Sequence, residues 1–163
     1  MWERLRIGFG PAEESSASHP VQDAPPDPPE LAHPGNRQLF DYFRQNSCWN
    51  ATAQQYETRA HSDLAEILFE LVADPDVRKG HAYGRPVVAN RHGLIFAWAG
   101  GTGDFFVRLI GDKVATACGE GARSDPTYPP EWINFYMSRL SRDWRKILQR
   151  WARISYEETL AAR

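Results

Sequence analysis

The sequence predicts an α+β protein: a two-layer sandwich in which an antiparallel sheet of about four to five strands packs against an N-terminal helix and a long C-terminal helix. Three observations carry that expectation. His81 to Leu109, HAYGRPVVANRHGLIFAWAGGTGDFFVRL, holds three β-prone runs separated by two stretches of turn chemistry. The segments 64–72 and 140–154 space their apolar residues at helical intervals. Glu131 to Ser138, EWINFYMS, alternates with the period of a strand. With 163 residues, 42% of them hydrophobic and 12% aromatic, the chain has material for one sizeable core plus an appendage.

Taken in order, residues 1–35 read as a flexible Pro-rich arm. Pro, Ser, Ala, Glu and Asp dominate from Pro11 to Pro34, and such a composition buries too little apolar surface to offset the entropy of ordering. Ahead of that spacer, Trp2, Leu5, Ile7 and Phe9 form an apolar cluster suited to docking. Residues 36–61 read as a helical extension. Asn36 is a good N-cap, and Leu39, Phe40 and Phe43 share one helical face. Cys48 to Arg59 is polar, with Trp49 and Tyr56 its large anchors.

The α+β domain proper is expected over 62–163. Ser62 is the candidate cap of a helix whose Leu64, Ile67, Leu68, Leu71 and Val72 form a core stripe, and Asp74-Pro75 ends it. Asp76 to Gly80 reads as a connector. Pro86–Ala89, Leu94–Trp98 and Phe105–Leu109 are the three runs, turned at Asn90–Gly93 and at Gly100–Asp104. Lys113–Cys118 reads as a short helix and 122–130 as a loop. In the strand 131–138, Trp132, Asn134 and Tyr136 face one way and Ile133, Phe135 and Met137 the other. Ser141 caps a helix over 142–161. One face of it carries Trp144, Ile147, Leu148, Trp151 and Ile154, and the opposite side gathers a basic stripe of Arg139, Arg142, Lys146, Arg150 and Arg153.

Several function classes recede on chemistry alone. The formal net charge is −2, so no overall basic field marks a nucleic-acid or membrane partner. No apolar run reaches the length of a membrane span. Two distant cysteines, Cys48 and Cys118, read as reduced thiols of a cytoplasmic protein, with Cys118 a buried small residue. The five histidines do not sit at metal-ligand spacing, and no metal or cofactor is expected. Gly100–Gly103 lacks the Lys-Ser/Thr of a phosphate-binding loop and stands between strands, so it reads as a hairpin turn. The carboxylates Asp63, Glu66 and Glu70 fall on the polar side of their helix, as a solvated face.

At this point the chain resembles the TfoX N-terminal domain-like family over roughly 63–161. Lys79-Gly80-His81-Ala82-Tyr83-Gly84 is similar to the family's basic–Met–Phe–Gly–Gly lead-in to the sheet. Asn90 to Ala97, NRHGLIFA, resembles its turn and second strand, Asp104 to Leu109 its third strand, Glu131-Trp132-Ile133 its last strand and Arg142 to Ala161 its closing helix. Ala82 stands where the family carries Met, and Arg85-Pro86 replaces its second glycine. The resemblance implies the two-layer fold and a regulatory role without catalytic residues.

The resulting expectation is a non-enzymatic regulatory or protein-interaction domain. Tyr83, Arg85, His81 and His92 are its candidate ligand or partner groove, and Trp2, Leu5, Ile7 and Phe9 the docking element of its arm. The alternative is nucleic-acid binding through Arg139, Arg142, Lys146, Arg150 and Arg153. The sequence leaves the oligomeric state open.

Overall fold

Both flanks of the central hairpins carry amphipathic helices, and the protein uses them on opposite faces of the sheet. The structure, a computed structural model, describes residues 24–162. Two single 3-10 turns, Pro29–Leu31 and Pro34–Asn36, lead into helix α1, Arg37–Gln45. The short strands β1, Trp49–Asn50, and β2, Gln55–Tyr56, pair antiparallel. Helix α2 is Ser62–Glu70. Strands β3, Arg78–Ala82, β4, Arg85–Ala89, β5, Ile95–Gly100, and β6, Asp104–Arg108, follow. Helix α3 is Asp112–Gly119, β7 is Arg123–Ser124, β8 is Trp132–Tyr136 and α4 is Trp144–Ala161. The main sheet has six antiparallel strands in the order β3-β4-β5-β6-β8-β7.

Register explains how the two faces are filled. Val88, Ala97, Val107 and Ile133 stand in line across β4, β5, β6 and β8. They pack with Leu64 and Leu68 of α2 and Leu148, Trp151 and Tyr156 of α4. One residue along, Val87, Trp98 and Phe106 line up on the other face. There they meet Leu39, Phe40 and Phe43 of α1 together with Leu31. Trp98 stacks on Phe106 with ring centroids 3.8 Å apart, and the edge of Phe43 meets Trp98 at 5.0 Å.

The α+β class, the hairpins and the facing of Trp132 against Ile133 and Phe135 hold. The layer and strand counts differ from expectation. The sheet has six strands, and α1 adds a layer on the face opposite α2 and α4. Every residue of β4 and of β5 is buried, which is why these segments read as unbroken apolar runs and not as alternating ones. The added strand β3, expected as a connector, is Arg-Lys-Gly-His-Ala, an edge strand whose polar side chains carry no alternation signal. The other, β7, has only two residues.

The helix starts differ too. Asn36 makes no cap bond; it is fully buried and works in tertiary structure instead. His61, not Ser62, caps α2, its Nδ1 accepting from Asp63 N at 3.4 Å. Helix α4 begins at Trp144, and Ser141 Oγ accepts from Asp143 N at 3.3 Å before it. The segment just ahead of α1 is packed where a flexible arm was expected: Leu31 is buried. Asp27 accepts from Arg44 Nη2 at 2.6 Å and from the Tyr83 hydroxyl. Trp2, Leu5, Ile7 and Phe9 lie outside the described residues.

Candidate functional site

The turns β3–β4 and β5–β6 lie at one end of the sheet, and residues 57–61 are strapped across both. Arg59 N donates to Gly84 O at 2.8 Å, Gly101 N to Arg59 O at 2.8 Å and His61 N to Gly101 O at 2.8 Å. Ala60 and Gly101 form a parallel bridge. The strap separates the cavities at this end. On the β3 side is a cleft of about 480 Å³ lined by Gln55, Tyr56, Thr58, His61, His81 and Tyr83. On the β6 side lie a small cavity of about 120 Å³, which Arg59, Arg85 and Tyr128 help line, and a wider cleft of about 710 Å³ bearing Arg123 and Arg139.

Two of the four expected groove residues meet in the first cleft. His81 is an exposed side chain of the edge strand, its ring edge-on to Phe69 at 5.8 Å. Tyr83 is buried, with its ring centroid 4.9 Å from that of Tyr56. Arg85 does not reach this cleft. It is buried against the ring of Phe43, 4.8 Å from the centroid, and donates to Ser47 Oγ at 2.7 Å, Tyr83 O at 3.1 Å and Asn46 O at 2.9 Å. His92 sits in the β4–β5 turn, at the other end of the strands, exposed beside Arg91. Tyr56, Thr58 and His61 were missed because they lie in a polar stretch whose one signal was the pair of large anchors Trp49 and Tyr56, and these rings meet at 5.0 Å.

The basic stripe is largely neutralised by its own surroundings. Arg150 pairs with Glu120, Arg153 lies 3.9 Å from Glu157 and Lys146 3.9 Å from Asp143. Arg139 precedes α4, lies 5.7 Å from the ring centroid of Tyr136 and belongs to the wide cleft. Arg142 is exposed and forms no ion pair among the described residues. The protein matches no protein-family model, no curated protein and no solved structure.

Both cysteines face solvent. Cys118 is exposed, against the buried position expected, because α3 turns Ala117 inward. Cys48 is exposed and accepts from Arg59 Nη2 at 3.1 Å. Among the described residues no three His, Cys, Asp or Glu side chains converge as metal ligands would, and no helix is long and apolar enough to cross a membrane.

Four tyrosines, three of them at these cavities, set an alkaline limit. Burial pushes the phenols of Tyr56, Tyr83, Tyr128 and Tyr156 above their ordinary value, and for Tyr83 the Asp27 carboxylate adds to it. Above about pH 10 the unfolded protein sheds these protons while the folded protein keeps them, so stability falls as pH rises. Urea midpoints measured between about pH 9 and pH 11 are expected to drop steeply. Urea midpoints that stay level across this range would contradict this.

Proposed function

We propose that the protein is a non-enzymatic, TfoX-like regulatory domain that binds a protein partner along β3 and in the cleft at its end. The observation that carries the reading is the outer edge of β3, which pairs with no strand among the described residues. The strand pairs with β4 on one side and is the last in the sheet on the other. It presents Arg78, Lys79 and His81 as exposed side chains, and His81 leads into the cleft with Tyr56 and Tyr83. An extended segment adding to such an edge gains main-chain hydrogen bonds, and alternate side chains supply the selectivity. The cations on the edge favour an acidic segment.

Titrating isotope-labelled protein with an extended peptide of alternating Glu and Val tests this. Saturable shifts are expected at the amides of Lys79, Gly80 and His81, weakened about tenfold in Lys79→Glu. An unresponsive β3 would sink the reading. So would saturable, salt-dependent binding of duplex DNA that is lost in Arg142→Ala, which would transfer the function to the start of α4.

A further inference from the structure

Arg85 poses an electrostatic problem that its neighbours do not solve. It is 5% exposed, yet its partners are a hydroxyl and two backbone carbonyls, with no carboxylate among the described residues. A buried guanidinium without a counter-charge is costly. Those three bonds leave two of its five N–H groups unused among the described residues. Arg59 lines the same small cavity, also without an ion pair among the described residues, and its charge makes the position of Arg85 more positive still.

The walls of that cavity are Trp98, Phe106, Tyr42 and Tyr128. Burial first, then the neighbouring Tyr42, pushes the Tyr128 phenol above its ordinary value. The backbone of the Gly-rich turn is not the cradle, because Gly101 N is already donated to Arg59 O. Asp104 closes one side and accepts from Asn134 Nδ2 at 2.9 Å. Among the residues lining it, two arginines and one aspartate leave one positive charge in excess.

We infer that this cavity binds a carboxylate group, held by Arg59 and Arg85 and walled by Trp98, Phe106 and Tyr128. The charge balance selects a monoanion; a phosphate dianion would face Asp104 with excess charge. Planar guanidinium forks match a carboxylate, and aromatic walls suit an organic acid. The rest of such a ligand has room in the wider cleft, which shares Gly101 and Asp104 with the cavity. The assignment does not depend on the β3 reading, since the strap 57–61 lies between the two sites.

The test is a titration of the isotope-labelled 163-residue chain with acetate, with N-acetylglycine as a mimic of a polypeptide's terminal carboxylate, and with inorganic phosphate. Either carboxylate is expected to give saturable shifts at the Arg85 Nε–H and at the Gly101 and Tyr128 amides. Arg59 is exposed, so Arg59→Ala folds, and it should weaken that binding about tenfold. Tighter binding of N-acetylglycine than of acetate assigns the site to a polypeptide end; equal binding assigns it to a small free acid. The inference is overturned if neither carboxylate gives a saturable shift up to ~50 mM. It is equally overturned if Arg59→Ala binds as the parent does, or if phosphate binds more tightly than both.

Discussion

Replacing Asn36 with alanine is expected to lower stability by about 4 kcal/mol, far more than removing an ordinary helix cap. Asn36 is fully buried, and its amide ties three segments together. Nδ2 donates to Leu31 O and to Gly93 O, each at 2.8 Å, and Oδ1 accepts from Ile95 N at 3.0 Å. Alanine leaves two carbonyls and one N–H without partners in a dry place, at about 1–3 kcal/mol each before relaxation. The expected sum is smaller than the simple total because groups in one network do not add. Asn46→Ala is the control: its exposed side chain makes one bond to Tyr42 O at 2.9 Å, and about 0.5 kcal/mol is expected. Chemical denaturation of both variants checks the contrast. In Asn36→Ala, the amides of Leu31 and Ile95 should also lose protection from exchange ahead of the sheet core. Equal losses in the two variants would return Asn36 to the role of a simple cap.

Asn36 also shows where the sequence stops being legible. An Asn just before an apolar helical stripe is the signature of an N-cap, and nothing local distinguishes a cap from a side chain turned inward toward a turn 57 residues later. The helices α1, α2 and α4 and the strands β4, β5, β6 and β8 were readable because each carries a period or an apolar run of its own. The second covering layer was readable in principle. Leu39, Phe40 and Phe43 form an apolar face that needs a partner, and β4 and β5, buried at every position, need cover on both sides. What hid it was the Pro-rich composition ahead of α1, where Leu31 and Asp27 nonetheless hold the segment to α1 and Tyr83.

The candidate sites were less legible than the fold, for a related reason. Tyr83 and His81 are near in sequence and meet in one cleft, but Arg85, two residues on, is buried against Phe43 and lines the cavity on the other side of the strap. The strap 57–61 that divides the cavities has no periodicity, and Arg59 and Tyr128 come from polar segments that only the tertiary fold brings beside Arg85. The basic stripe was visible as a helical pattern. Its neutralising partner Glu120 is 30 residues away and was not.

The β3–β4 turn carries the other large effect: Gly84→Ala is expected to cost about 3 kcal/mol or more. Ala82 pairs with Arg85, so Tyr83 and Gly84 are the two residues of a tight hairpin loop. Both have positive φ, +53° and +77°, the mark of the primed turn that matches strand twist. Tyr83 bears that strain because its ring is buried among Phe40, Phe43 and Tyr56. Gly84 has a second constraint. A Cβ there would stand 2.0 Å from Glu57 O, which no side-chain rotation relieves, since the obstacle is backbone. The strap must lift, and with it the bond from Arg59 N to Gly84 O at 2.8 Å. Gly80→Ala in the adjacent strand is the matched control, because a Cβ at Gly80 meets nothing within 4 Å, and its effect should stay within about 0.5 kcal/mol. The strap also forms the wall between the β3 cleft and the Arg85 cavity. Gly84→Ala therefore disturbs both sites at once, and amide shifts in the variant should spread to Arg59, His61 and Gly101 while α4 stays as it was. A loss below about 1 kcal/mol would mean that the strap is not held against the turn.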